Sequence, residues 1–344
     1  MNEFQTILSD TANRLFTDNL TKDTRIAAED GTWPQALWQA VEENGFCRIL
    51  VSEARGGAGA SWSDAMVLLK ACGLHAVPLP LAETIVAAWF LDQAGLDVPD
   101  GPLTFGPAEL KGEGADIRLA APMRKVPYAA EAAHVVAIAP AGDGVTVALL
   151  SDVTIAEPAA SIARDPVADV TAAGAVSAGG KAALPQDAAM QAGALMRSAG
   201  IAGALQAALA QAVQYAGERV QFGRPISKLQ AIQHQLAEMA THAASVGVAA
   251  DVAARAMSAD PTDAAFEIAA AKLRAADAAQ LGASIAHQTH GAIGFTYEHG
   301  LHFWTRRLWS WGPEFGGASH WARVLGRQAI ADGGTALWAS VTAR

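Results

Sequence analysis

The sequence predicts a mainly α-helical fold with a small β domain in the middle of the chain. Helical spacing of apolar residues dominates the first and last parts, which are rich in alanine, the residue with the highest helix propensity. Between about residues 105 and 186 short β-like runs replace that spacing. We therefore expect an N-terminal α-helical domain at 1–104, a small middle β domain at 105–186 and a C-terminal four-helix bundle at 187–344.

Composition narrows the range of partners. The formal net charge of −10 over 344 residues argues against nucleic acids and anionic membranes, because both require a basic face. We expect no membrane span, no secretory signal and a cytoplasmic protein, since no long uncharged apolar run occurs. The two cysteines, Cys47 and Cys72, lack metal-ligand spacing, so we expect reduced thiols and no metal site.

The N-terminal region reads as helices separated by turns. Pro34 is placed to open one helix and Gly45 to end it, and Ser61 or Ser63 is placed to cap the helix that follows the loop GGAGAS. That loop is interpreted as a turn, because it lacks the spacing of a dinucleotide-binding loop. The first helix is expected to bury one face, which consists of Phe4, Ile7, Leu8, Ala12 and Leu15.

The middle region contains four β-like runs, HVVAIA (134–139), GVTVALL (144–150), DVTIA (152–156) and ADVTAAGAV (168–176). Glycine-containing and proline-containing breaks separate them, which is typical of a small antiparallel β domain.

The bundle region shows a regular apolar seam. Steps of three and four residues connect Leu229, Ile232, Leu236, Met239, Ala243, Val246 and Ala250. A weaker second seam contains Phe266, Ala269, Leu273 and Ala276, and it resumes out of register at Leu281 and Ile285. The pair Asp260-Pro261 predicts the cap and first turn of that second helix.

The turn after residue 218 combines groups that suit a nucleotide. A helix is expected to end near Arg219, and Phe222 and Gly223 form a turn before the next helix. A cation, an aromatic ring and backbone N–H groups together suit a pyrophosphate or an adenine ring. The alternative is that Arg219 pairs with Glu218 and that Phe222 belongs to the core.

This segment is similar to the R-x-x-F-G-x-x-x-x-x-x-Q signature of the acyl-CoA dehydrogenase family, which Arg219, Phe222, Gly223 and Gln230 match. Residues 287–307 resemble a second stretch of that family, Q-x-x-G-G-x-G-(F)-x-x-E. The residues in register there are Gln288, Gly291, Gly294, Phe295 and Glu298, and Ala292 replaces the second glycine. The chain resembles a short, atypical member, like the smaller subunit of heteromeric acyl-CoA dehydrogenases.

The resemblance implies a fold, a cofactor and a reaction. It implies FAD and an acyl-CoA substrate, from which a carboxylate takes the α proton while the β hydride passes to the flavin, with electron-transfer flavoprotein as acceptor. It implies a homo-oligomer, or a hetero-oligomer with a longer acyl-CoA dehydrogenase chain, in fatty acid or steroid degradation. Because the two motifs of the family hold a neighbouring subunit's FAD, the candidate cofactor contacts are Arg219, Phe222, Gly223, Gln230, Gln288 and Gly291.

The catalytic carboxylate is where the resemblance weakens. The family's base lies in an E-G-T/S motif, and the ungapped register places Phe315 at that position. Glu314 lies one residue earlier, which turns a helical side chain by about 100°. Glu314 is the candidate base, and the alternative is a solvated or paired rim carboxylate. Some relatives carry the base on the first bundle helix, where this chain has Gly193.

The flavin-facing motifs of the middle domain also differ. The family's T-E-x-x-(A)-G-S-D loop has no counterpart in residues 101–116, and Tyr128 ends the stretch VPY that replaces a flavin-contact strand. Three hypotheses stay open: an active dehydrogenase, a non-catalytic subunit that completes a partner's FAD site, and a base-less flavoprotein with different chemistry.

Overall fold

The computed structural model describes residues 2–342, apart from 113, 151, 173 and 175. The N-terminal region consists of helices. Their bounds are α1 (Glu3–Asn19), α2 (Lys22–Glu29), α3 (Gln35–Glu43), α4 (Trp62–Leu74) and α5 (Leu81–Gln93).

Helix α1 packs against α4, but with a narrower apolar face than predicted. Leu8, Ala12 and Leu15 are buried, whereas Phe4 and Ile7 are 46% and 59% exposed. The prediction was wrong for these two, because Phe4 lies in the first turn and Ile7 points about 100° away from Leu8.

Ser61 caps α4, as predicted. Its hydroxyl accepts from the Asp64 N–H, and the Asp64 carboxylate accepts from the Ser61 N–H. The preceding loop uses its own amides internally, since Gly59 N–H donates to the Val51 carbonyl at 2.8 Å. These contacts agree with a turn.

The middle region forms two four-stranded sheets and one two-stranded sheet. The first has the strand order β1-β5-β6-β10, the second has β4-β9-β7 with β8 paired to β9, and the third is the antiparallel pair β2-β3. The strands are β1 (Leu103–Pro107), β2 (Leu110–Lys111), β3 (Arg118–Leu119), β4 (Met123–Pro127), β5 (His134–Ala141), β6 (Gly144–Leu149), β7 (Val153–Ile155), β8 (Ala159–Ala160), β9 (Pro166–Ala172) and β10 (Ala178–Ala182).

The pairs are antiparallel except β1 with β5, where Leu103 lies opposite His134 in a parallel register. A parallel pair needs a long connection, and residues 108–133 provide it. The four predicted runs contribute to β5, β6, β7 and β9, although residues 173 and 175 of the last run lie outside the described part of the chain.

The C-terminal region is helical, with one short hairpin. Its elements are α6 (Ala188–Glu218), β11 (Val220–Gln221), β12 (Arg224–Pro225), α7 (Gln230–Ala259), α8 (Ala265–His290), α9 (His302–Trp311), α10 (Ala318–Asp332) and α11 (Leu337–Thr342). Helices α6, α7, α8 and α10 form the bundle, with α8 in contact with the other three. The domain limits stay a prediction; β1 begins at Leu103 and α6 at Ala188.

The first seam faces the interior of the bundle, where Met239, Val246 and Ala250 are fully buried. The prediction for the second seam included too few of the buried residues of α8. Helix α8 is buried on several sides because it packs against three bundle helices and α9, while Leu281 of the predicted stripe is exposed.

The predicted cap of α8 is also wrong. The helix begins at Ala265, and the Asp260 carboxylate instead accepts from the Thr262 N–H at 2.8 Å within the turn after α7. An Asx turn of this kind holds the backbone in the loop and so delays the helix. Among the described residues no helix is long and apolar enough to cross a bilayer.

Candidate functional site

The two motif segments lie side by side at one end of the bundle. Helix α6 ends there, α7 begins there, and α8 ends there. The ring of Tyr215 in α6 stacks on that of His290 in α8, with centroids 4.7 Å apart. The structure therefore brings together the residues that sequence resemblance assigned to a shared cofactor.

Phe222 has an exposed fraction of 88%, so the alternative interpretation as a core residue was wrong. It forms the turn between β11 and β12 with Gly223, and both have positive φ, of 52° and 75°, as in type I′ hairpin turns. Positive φ is rare for an aromatic residue, and such strain concentrates at functional sites.

Three cations surround this turn. Arg219, Arg224 and Lys228 are exposed and make no ion pair with any described residue. The predicted alternative partner, Glu218, accepts a hydrogen bond from Gln214 instead. Helix α7 starts nearby without a side-chain cap, and no described side chain accepts from its first-turn N–H groups. A local positive surface of this kind suits a pyrophosphate.

The bend after α8 presents the second motif. Gln288 is exposed in the last turn of α8, and Gly291 has φ 62° and ψ −142°, a region that is almost exclusive to glycine. Phe295 is 71% exposed and stacks on His287 at 4.2 Å. The six candidate contacts thus form an open surface rather than an enclosed pocket, and a second surface is needed to enclose a dinucleotide.

Three buried histidines support the bend, and sequence reasoning missed them. The Nδ1 atoms of His290 and His302 donate to the carbonyls of Ala286 and His299, at 2.7 and 3.0 Å. Their Nε2 atoms are buried, with no partner among the described residues. Burial lowers the pKa of both and of His287, to about 4 for His302. The H-x-x-H spacing at 287–290 and 299–302 was the available signal.

A separate cavity of about 640 Å³ lies between the β domain, α6 and the segment 312–317. Its walls are mainly apolar, and two cations of β4, Arg124 and Lys125, also line it. Lining residues include Phe105, Arg124, Val126, Met190, Glu314 and Phe315.

Glu314 faces this cavity but is held by two hydrogen bonds. Arg197 Nε donates to Oε2 at 2.7 Å, and the Ser310 hydroxyl donates to Oε1 at 2.9 Å. The carboxylate is therefore paired, with only 25% of the side chain exposed. To abstract a substrate proton, it would have to release or share one of these bonds.

Arg197 also donates to Glu83 at 2.7 Å, and both side chains are buried. Burial opposes the charge on Arg197, but Glu314 and Glu83 outweigh it and raise its pKa. Burial raises the pKa of Glu83, with Arg197 acting against it. These residues were also missed, although a charged residue inside an apolar helical stretch was a usable signal.

Phe315 occupies the position that the sequence resemblance assigns to the family's base. It has φ 50°, and its ring stacks on Phe105 at 5.4 Å with an interplanar angle of 15°. A Cβ added to Gly193 would lie 2.2 Å from the Phe315 Cδ1 atom. The two positions that the resemblance assigns to the base therefore touch each other here, and neither holds a carboxylate.

Tyr128 lies outside that cavity. It is buried beside Asp165, to which Arg307 donates at 2.9 Å. Burial, together with the Asp165 carboxylate, raises the Tyr128 pKa well above its usual value. Tyr128 therefore belongs to a buried polar contact between the β domain and α9.

Models of known families match most of the chain. The N-terminal domain of acyl-CoA dehydrogenase matches residues 2–97, and the C-terminal domain matches residues 185–317. The acyl-CoA dehydrogenase IpdE2 of Mycobacterium tuberculosis is 30% identical over 282 residues, which cover 81% of this chain and 82% of the relative. The chain belongs to the acyl-CoA dehydrogenase family. IpdE2 of Mycolicibacterium smegmatis is 29% identical over 89% of the chain and 93% of the relative.

Solved acyl-CoA dehydrogenases share the fold. The Tcur3481–Tcur3483 steroid ACAD superposes with a TM-score of 0.87 at 25% identity, over 96% of this chain and 98% of the other. The ChsE4–ChsE5 complex of Mycobacterium tuberculosis gives a TM-score of 0.86 at 23% identity, over 96% of this chain and 98% of the other. Butyryl-CoA dehydrogenase of Megasphaera elsdenii gives a TM-score of 0.84 at 18% identity, over 96% of this chain and 99% of the other. As a member of this oxidoreductase family the chain has FAD as its cofactor.

Proposed function

We propose that this acyl-CoA dehydrogenase chain is the complementing subunit of a heteromeric enzyme. In this assembly a longer relative supplies the catalytic carboxylate and holds the flavin ring, and this chain encloses the other part of the FAD. The residue types at positions 193 and 315, which touch each other, carry the proposal, because neither family base position holds a carboxylate.

The exposed end of the bundle fits the part of FAD that the partner leaves uncovered. Arg219 and the α7 N-terminus would bind the pyrophosphate, and Phe222 would pack on a flat ring. Gly223 permits the tight turn, Gln230 and Gln288 offer amides, and Gly291 allows close backbone approach. When bound, FAD accepts the hydride that leaves the β carbon of the thioester.

The relatives support a two-chain assembly and a lipid substrate. ChsE4–ChsE5 is a complex of two proteins, and Tcur3481–Tcur3483 is a steroid ACAD. A bulky acyl-CoA thioester is therefore the proposed substrate class, and electron-transfer flavoprotein is the proposed acceptor.

Visible spectroscopy tests the proposal. The chain purified alone is expected to be colourless, and coexpression with a longer acyl-CoA dehydrogenase chain of the same organism is expected to yield a yellow complex. Arg219→Ala should raise the Kd of the complex for FAD about ten-fold or more, because a charge-assisted hydrogen bond contributes about 1.5–3 kcal/mol. Arg14→Ala, an exposed arginine on α1, is the control. Equal FAD retention in both variants would contradict the assignment of Arg219.

A second candidate is a dehydrogenase that is active alone with Glu314 as base, and it is favoured by the position of Glu314 at the cavity wall. It predicts a yellow protein that an acyl-CoA bleaches, and loss of bleaching in Glu314→Gln. Bleaching that persists in this variant would discard Glu314 as base. Bound flavin that no thioester reduces would indicate the third hypothesis, a base-less flavoprotein.

A further inference from the structure

The segment 312–317 forms one wall of the 640 Å³ cavity and carries both Glu314 and Phe315. Its sequence, GPEFGG, contains one proline and three glycines, and Phe315 and Gly316 have positive φ. Glycine-rich backbone with residues in the left-handed region has many alternative conformations. Contacts from other elements must therefore select the observed one.

Lys272 of α8 provides the first contact. Its side chain is fully buried, and Nζ donates to the carbonyls of Trp311 and Gly312, at 3.1 and 2.5 Å. These carbonyls belong to the C-terminal end of α9, where helical hydrogen bonding leaves acceptors unpaired and the helix dipole favours a cation. Lys272 thus fixes the chain where the segment begins.

Arg197 of α6 provides the second contact. Its guanidinium holds Glu314 on one side and Glu83 of α5 on the other, and its Cζ lies 5.3 Å from the centre of the Trp311 ring. A buried cation between two carboxylates is stable only while both partners remain. Arg197 therefore couples the segment to α5 and α6.

Four charged side chains take part in these contacts. Lys272 and Arg197 are the cations, and Glu83 and Glu314 are the carboxylates. Burial lowers the pKa of Lys272 to about 7, with Glu314 acting against that shift and Arg197 with it. An apolar residue at position 272 would leave two carbonyls unpaired and remove the cation nearest the start of the segment.

We propose that Lys272 and Arg197 are positioning residues, whose hydrogen bonds hold the segment 312–317 in one conformation. In that conformation the Phe315 ring lies over Gly193 and Glu314 lies at the cavity wall. The proposal holds whichever chain supplies the base. In a complementing subunit these contacts keep the Phe315 ring in the cavity wall, and in an enzyme active alone they fix the position of Glu314.

Amide hydrogen exchange of the full chain, without flavin or thioester, tests whether these two residues hold the segment. Lys272→Met is expected to speed exchange in peptides covering 312–317 about ten-fold or more, because local opening becomes easier there. Peptides covering the 219–225 hairpin should keep their wild-type rates. The matched control is Lys70→Met, which removes a partly exposed lysine of α4 that is paired with Asp251 of α7.

Glu314→Gln is a second, milder variant for the case in which Lys272→Met fails to fold. It keeps the shape of the side chain but removes the charge that Arg197 holds, so faster exchange confined to 312–317 is again expected. Unchanged rates in that segment, or a uniform increase over the whole chain, would overturn the proposal. Because FAD is absent from the experiment, either result leaves the FAD-sharing proposal to its own spectroscopic test.

Discussion

The contact between Gly193 and Phe315 predicts that Gly193→Ala is destabilising. The new Cβ would lie 2.2, 2.3 and 2.5 Å from three carbons of the Phe315 ring. The Cδ1 atom would have to retreat by about 1.2 Å before it reached 3.4 Å, where ordinary contact begins. Stacking on Phe105 restrains the ring, and Trp321 Nε1 restrains its backbone by donating to the Phe315 carbonyl at 3.0 Å.

The size of the effect follows from two opposing contributions. Alanine is favoured over glycine within a helix by about 1 kcal/mol, and overpacking costs about 1–3 kcal/mol. Gly247→Ala isolates the first contribution, because Gly247 lies inside α7 and a Cβ there would meet nothing within 4 Å. Gly193→Ala is therefore expected to be less stable than Gly247→Ala by about 1–3 kcal/mol.

Urea unfolding of both variants measures this difference. Phe315→Ala in the Gly193→Ala background removes the ring, so the double variant should cost less than the sum of the single costs, with a coupling of about 1 kcal/mol or more. If Gly193→Ala were as stable as Gly247→Ala, the ring would not occupy the space over Gly193. The packing of Phe315 against Gly193 would then be refuted.

Other outcomes follow from single residues. Because the folded-state pKa of His302, about 4, lies below the ordinary 6.5, its contribution is full above pH 6.5. That contribution decreases as pH falls toward 4, by at most about 3 kcal/mol, so urea midpoints should drop between pH 7 and pH 5 and drop less in His302→Gln. Gly291→Ala should lower stability by about 1–3 kcal/mol through backbone strain, whereas Gly217→Ala, with a free Cβ position, should not; equal melting temperatures would contradict this. Arg197→Met should cost about 3–5 kcal/mol in urea unfolding because Glu83 is left buried and unpaired, and adding Glu83→Gln should recover part of it; no recovery would contradict that cause.

Local sequence was sufficient to predict much of the fold and the positions of the two C-terminal motifs. The Ser61 cap, the seam through Met239 and Val246, and the turn at Phe222 are recognisable because helix periodicity, capping and turn chemistry involve residues only a few positions apart. The same locality explains the errors. The extent of burial of Phe4 and the start of α8 depend on what the neighbouring elements leave exposed.

Only the tertiary structure decided the role of the segment that holds Glu314. Its partner Arg197 is 117 residues away, and the lysine behind it, Lys272, reaches the Gly312 carbonyl from 40 residues away. Phe315 meets Gly193 because α6 and the segment after α9 line the same cavity. Pairings over such distances depend on how helices pack, which spacing along one chain does not encode. The motifs therefore indicated FAD as the cofactor, and packing determined that the Phe315 ring lies against Gly193 and that Arg197 holds Glu314.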